Sequence, residues 1–181
     1  MNYIVGVDEV GRGCLAGPVI AAAVVLKNDI PGLRDSKKLS KSKREELSSI
    51  IIQNSYYSFG SASVKEIDRI NILQASLLAM KRAILNLSVE PGKIIVDGTH
   101  KPDLDIDTQT IVGGDSIVDE ISAASIIAKV YRDNLMMQFD KKYPDYYFSS
   151  HKGYGTKIHK AAIKQHGITP IHRKTFKGVV A

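Results

Sequence analysis

Residues 3–13 read Tyr-Ile-Val-Gly-Val-Asp-Glu-Val-Gly-Arg-Gly, and residues 93–98 read Lys-Ile-Ile-Val-Asp-Gly. Each is an apolar run of strand length that ends on acids and then on glycine. A carboxylate at the end of a buried strand is costly unless something positive compensates it. In α/β sheets the carboxyl ends of strands are also where ligands bind. Asp8, Glu9 and Asp97 are therefore candidate site residues. Asp115, which follows Gly113-Gly114 in a similar setting, is a fourth. Neighbours in a regular strand point to opposite faces, so for Asp8 and Glu9 to share a site the strand is expected to break at Glu9. Gly11 and Gly13 supply the backbone freedom for that break.

Outward from these runs, Val19 to Leu26 reads as a second strand. Ser40 caps a helix to about Gln53, and Tyr56 to Val64 is a further strand. Leu73, Leu77, Met80, Ile84 and Leu87 repeat at helical spacing within Ile70 to Leu87. Pro91-Gly92 closes that helix region before the 93–97 strand. Thr108 to Val112 is a fifth strand, and Ile121 to Phe139 a long helix that opens on the small residues Ser122, Ala123, Ala124 and Ser125. The pattern predicts an α/β fold, a mixed sheet flanked by helices. One domain is expected over residues 1–181, with a basic, helical C-terminal extension from about Tyr143 and a helix near Thr156 to His166.

The chain has 181 residues, 44% of them hydrophobic, enough for a core. It contains no apolar run of membrane-spanning length and no basic leader, so no membrane partner is expected. A single cysteine, Cys14, points to a reducing, cytoplasmic setting. The formal charge of +6 suits a polyanionic partner. His151, His159, His166 and His172 lack zinc-site spacing. His100 is expected only to line the site, and the Met136-Met137 pair to fill core.

The same acids allow more than one chemistry. Singly, each fits a turn or a helix cap. Paired, they could act as acid and base, as in glycoside hydrolysis. Together they could hold divalent cations, which would relieve their repulsion, activate a water and stabilise a leaving oxygen. The basic balance favours a phosphate substrate. Gly11, Arg12 and Gly13 would bring backbone amides and a guanidinium to it, although the P-loop signature is missing. Lys37 and Lys38, within Asp35-Ser36-Lys37-Lys38-Leu39-Ser40-Lys41, suit backbone phosphates. Tyr154, between two glycines in a basic stretch, could stack on a sugar or base.

Taken in order, Asp8 to Gly13, Leu15 to Pro18, Asp35 to Leu39, Val96 to Gly98, Gly114 to Ser116, Ile121 to Val130, His151 to Thr156, and His172-Arg173 with Phe176 resemble bacterial ribonuclease HII across almost the whole chain. The sister type, ribonuclease HIII, resembles it less, with a different residue where Arg12 stands. The resemblance implies a ribonuclease H-like fold in which strands one and four are adjacent, bringing Asp8 and Asp97 together. It assigns the catalytic, metal-holding carboxylates to Asp8, Glu9, Asp97 and Asp115. Ribonucleotide recognition falls to Gly11, Arg12 and Gly13, and sugar stacking to Tyr154. It further implies two Mg²⁺ or Mn²⁺ ions with substrate, and RNA–DNA hybrids or ribonucleotide-bearing DNA duplexes as partners. The cut would fall on the 5′ side of the ribonucleotide, leaving 3′-hydroxyl and 5′-phosphate ends, a reaction of ribonucleotide excision repair. A monomer with no clamp-binding tail is expected. Cys14 stands where proline is more usual in the family. The competing classes are a duplex-binding module without catalysis and a nuclease for another substrate, such as branched DNA.

Overall fold

The computed structural model describes residues 3–33 and 40–180. Five strands, β1 (Tyr3–Val10), β2 (Val19–Leu26), β3 (Ser55–Ala62), β4 (Pro91–Asp97) and β5 (Thr108–Ile111), form one sheet in the order β3-β2-β1-β4-β5. β1 is antiparallel to β2 and parallel to β4; β2 and β3 are antiparallel, and β4 and β5 parallel. This is the expected mixed sheet, with strands one and four side by side. Among the described residues, five α-helices accompany it: α1 (Lys41–Gln53), α2 (Val64–Leu85), α3 (Asp119–Lys142), α4 (Phe148–His151) and α5 (Lys157–His166).

β2, Val-Ile-Ala-Ala-Ala-Val-Val-Leu, is buried almost throughout because both faces of the sheet are covered. Val19, Ala21, Ala23 and Val25 pack with Val5, Val7 and α2 on one face. Ala22 and Val24 pack with α1 and α3 on the other. Two sheet glycines let the helices come this close. A Cβ on Gly60 would lie 2.1 Å from the carbonyl oxygen of Ala79 in α2, and one on Gly6 would lie 2.1 Å from the backbone of Glu120 in α3.

Helix boundaries differ from the sequence reading where polar caps decide them. β3 stops at Ala62 because Ser63 and Glu66 form a capping box that starts α2. α2 is interrupted at Asn71, which takes a positive φ of 66°, and the Asn71 side chain accepts from Gln74 N–H to start the second segment. The 70–87 periodicity describes only that second segment. Among the described residues, no helix is long and apolar enough to cross a membrane.

Beyond α3 the chain builds a small core of its own from Tyr146, Phe148, Ala162, Ile163 and Val179, against Leu15, Ala16 and Met136. The C-terminal extension thereby rests on the loop between β1 and β2.

Candidate active site

β1 and β4 run parallel, so both end at the same edge of the sheet. Val7 pairs with Val96, which sets Asp8 beside Asp97 on the α3 face. Asp8 is 6% exposed, and Ser125 of α3 hydrogen-bonds its carboxylate. Asp97 accepts from Gly114 N–H at 2.7 Å, which ties β4 to the short 3-10 turn carrying Asp115. Asp115 is 4% exposed, with the Ser116 hydroxyl 3.4 Å from its Oδ1.

The expected break at Glu9 does not occur. β1 continues to Val10, with Glu9 paired to Ala21 and Val10 to Ile20 on β2. Only the pairing with β4 stops, at Val7, and that alone opens the strand edge beside Asp8. Glu9 N–H donates to Asp8 Oδ1 at 2.7 Å, and the Glu9 carboxylate meets Arg12 Nη1 at 3.0 Å. Burial pushes the Asp8 carboxyl well above the usual carboxylate range, and repulsion from Glu9 and Asp97 adds to the shift. Burial raises Glu9 too, opposed by Arg12 and reinforced by Asp97. Three acids thus feel one another's charge.

Among the described residues, no three acidic, histidine or cysteine side chains form a ready-made metal cage. The donor set nevertheless fits Mg²⁺ or Mn²⁺. These hard cations take carboxylate oxygens and commonly leave part of their shell to water and substrate phosphate. An ion here would also offset the cost of burying these charges, which is what mainly raises Asp8 and Glu9, and the repulsion that adds to it.

The loop after β1 is held from inside by two fully buried arginines. Arg173 donates to the carbonyls of Gly11 (2.6 Å), Arg12 (2.8 Å) and Gly17 (3.0 Å). Arg132 donates to those of Ala16 (3.0 Å), Pro18 (3.1 Å) and Lys152 (2.9 Å). In a trans peptide the carbonyl and the next N–H point opposite ways. With the Gly11 and Arg12 carbonyls turned inward to Arg173, the amides of Arg12 and Gly13 face outward. Gly11 has φ +95°, and a Cβ there would meet Arg132 Nε at 2.2 Å.

Tyr154 pairs with Cys14 in an antiparallel bridge, one residue beyond Gly13, and is 42% exposed. Its side chain also hydrogen-bonds the buried Cys14 thiol, whose pKa burial pushes up while Arg132 and Arg173 pull it down. A residue that pairs through its backbone and packs beneath a tyrosine therefore stands where proline was expected. His100 bonds Thr99 just beyond Asp97. Lys37 and Lys38 lie outside the described residues.

The sequence reading missed Arg132 and Ser125 and gave Arg173 no role. Arg132 was detectable: Ala124, Ala128, Arg132 and Met136 share the i, i+4 spacing of the buried stripe of α3.

A family model described as Ribonuclease HII matches residues 5–179. A ribonuclease HII of Coxiella burnetii is 59% identical over 179 residues, covering 97% of this chain and 89% of that protein. Among solved structures, the ribonuclease HII of Archaeoglobus fulgidus, determined in a complex with PCNA, is 25% identical with a TM-score of 0.83 and covers 97% of this chain and 95% of that one. A Bst-RNase HIII in complex with Mn²⁺ shares the fold at a TM-score of 0.76 and 20% identity, covering 98% of this chain and 68% of that one.

Proposed function

This chain belongs to the ribonuclease HII family, as a metal-dependent endoribonuclease acting on the RNA of RNA–DNA hybrids, and we propose that it also cuts on the 5′ side of single ribonucleotides in duplex DNA, leaving 3′-hydroxyl and 5′-phosphate ends. The observation that carries the proposal is the outward-facing amide pair of Arg12 and Gly13, held by Arg173 next to the Asp8–Asp97 edge.

Asp8, Glu9, Asp97 and Asp115 would hold two divalent ions, Mg²⁺ or Mn²⁺. Such ions, when bound, supply positive charge at the scissile phosphate, activate water and stabilise the departing 3′ oxygen. The chain's own residues select the substrate. The amides of Arg12 and Gly13 donate to the sugar or phosphate oxygens of the ribonucleotide. The 2′-hydroxyl is the group that distinguishes it from deoxyribose. Arg12 is half-exposed and bonded to Glu9, so it can bridge the acidic cluster and the substrate backbone. The Tyr154 ring stacks on the sugar that follows. Lys37 and Lys38 contact backbone phosphates. The enzyme is read as cytoplasmic, monomeric and serving ribonucleotide excision repair.

The test is a DNA duplex carrying one ribonucleotide, incubated with Mg²⁺ or Mn²⁺ and, separately, with chelator. The expected products are a 3′-hydroxyl on the upstream fragment and a 5′-phosphate on the ribonucleotide, with no cleavage in chelator. Cleavage of long hybrids but not of this duplex would confine the enzyme to continuous RNA.

A further inference from the structure

Three histidines of the C-terminal extension, His151, His159 and His172, are buried together. The rings of His151 and His159 stack with centroids 4.4 Å apart, and His159 Nε2 lies 3.1 Å from His172 Nε2. Two ring nitrogens at that distance share one proton, and the backbone decides which ring carries it. Thr169 N–H donates to His172 Nδ1 at 2.9 Å, so this nitrogen is bare and the His172 proton sits on Nε2. His172 Nε2–H then donates to His159 Nε2. His159 carries its proton on Nδ1, which donates to the carbonyl of Tyr154 at 2.9 Å. His151 is fixed in the same way: it accepts from Gly153 N–H at 3.2 Å and donates from Nε2 to the Tyr146 carbonyl at 2.8 Å.

A second proton is disfavoured in this arrangement. On His159 it would face the His172 N–H, and on His172 Nδ1 it would displace the Thr169 N–H bond, with the Thr169 hydroxyl 2.9 Å away to accept it instead. Burial holds all three histidines below their ordinary value, His172 down to about 4. The charged groups nearby, Asp140 and Lys152, act on His151 in opposite directions.

We propose that His159 and His172 are positioning residues for substrate discrimination, a relay of two neutral imidazoles that holds the Tyr154 backbone and so sets the ring that meets the sugar. The relay begins next to Arg173, which holds the Gly11 and Arg12 carbonyls. A short stretch of chain therefore sets both parts of the recognition site. The role rests on reading Tyr154 as the sugar platform.

Two measurements on the full chain test it. In wild-type protein, long-range ¹H–¹⁵N NMR is expected to find His159 with its proton on Nδ1 and His172 with its proton on Nε2, both neutral from pH 8 to pH 6. The opposite tautomer, or a charged ring at pH 7, overturns the relay. Second, kcat/KM is compared on matched duplexes bearing one or several ribonucleotides. His159→Ala is expected to shift the ratio in the same direction as Tyr154→Ala, by about two- to tenfold, the size of one hydrogen bond. It should also move the Tyr154 ring resonances and add nothing to the ratio in the double variant. His159→Asn, which keeps a donor near the Nδ1 position, should restore most of the ratio even if it lowers Tm. An unchanged ratio in His159→Ala where Tyr154→Ala does change it, or unmoved Tyr154 resonances, overturns the proposal. If Tyr154→Ala itself leaves the ratio flat while the tautomers and resonances behave as expected, the failure lies with the sugar-platform reading.

Discussion

The guanidinium of Arg173 donates to the carbonyl of Arg12 at 2.8 Å, across 161 residues of sequence. Its bonds to Gly11 and Gly17 likewise go to backbone carbonyls, while the Asp68 carboxylate favours its charge through space. Desolvation lowers its pKa to about 10, still high enough to keep it charged at neutral pH.

Arg173→Lys is expected to damage both stability and selectivity. A single ammonium cannot match the planar fork that reaches three carbonyls. Leaving buried carbonyls unpaired costs about 1–3 kcal/mol each, so a loss of about 2–4 kcal/mol is expected. Chemical denaturation checks this, together with kcat/KM on single-ribonucleotide duplexes. Wild-type stability in Arg173→Lys would mean that the loop is held by other contacts.

Asp97→Asn is expected to remove about 10³-fold or more of the activity with Mg²⁺, through loss of a charged ligand, while the fold persists. The variant keeps Oδ1, the atom that accepts from Gly114 N–H. Circular dichroism and single-turnover cleavage decide the matter. A folded variant cutting at the wild-type rate would show that the acid is misassigned.

Asp8→Asn is expected to raise the Tm of metal-free protein by a few degrees at pH 8, because it removes a buried charge repelled by Glu9 and Asp97. The pH dependence follows from the sign of the shifts. Native Asp8 and Glu9 take up protons at higher pH than the unfolded chain does, so their contribution to stability rises as pH falls through the raised values. The advantage of the variant should therefore shrink on acidification. His151, His159 and His172 act oppositely. The unfolded chain takes their protons near 6.5 and the native state refuses them, His172 down to about 4, so their contribution is lost as pH falls across that window. Millimolar Mg²⁺ should raise the Tm of wild type and leave that of Asp8→Asn nearly unchanged. A variant less stable than wild type at pH 8 would refute the charge-strain account.

Lys37→Ala and Lys38→Ala are each expected to weaken binding to all duplexes alike and to reduce the slope of log Kd against log salt by about one unit. Filter binding across a salt series measures it. Unchanged slopes would show that Lys37 and Lys38 make no phosphate contact.

The strands, and the placing of Asp8 and Asp97 at their ends, were legible because the signals are local: apolar runs ending on an acid, each before glycine or close to it. The mixed sheet followed from the order of elements, and the adjacency of β1 and β4 from family resemblance. What was not legible depends on partners far away. The continuation of β1 through Glu9 is decided by its antiparallel partner Ala21, which outweighs the glycines that suggested a break. The helical segment from Val64 to the break at Asn71 precedes the 70–87 period and was not read from it, and the break itself reflects a side-chain cap. Arg132 and the histidine relay were hidden because polar residues read as surface until their carbonyl and ring partners are known.

The long reach from Arg173 to Arg12 also orders events at the ribosome. The chain emerges at about 5–20 residues per second, N-terminal part first. Asp8, Glu9, Asp97 and Asp115 are all synthesised well before Arg173. Until that residue is free to fold back, a nascent chain possesses its acids but lacks the lock that turns two amides outward. On the proposed roles, competence to choose a substrate would mature after the acids are in place, and a product truncated before residue 173 would carry the four carboxylates without the bonds that turn the Arg12 and Gly13 amides outward.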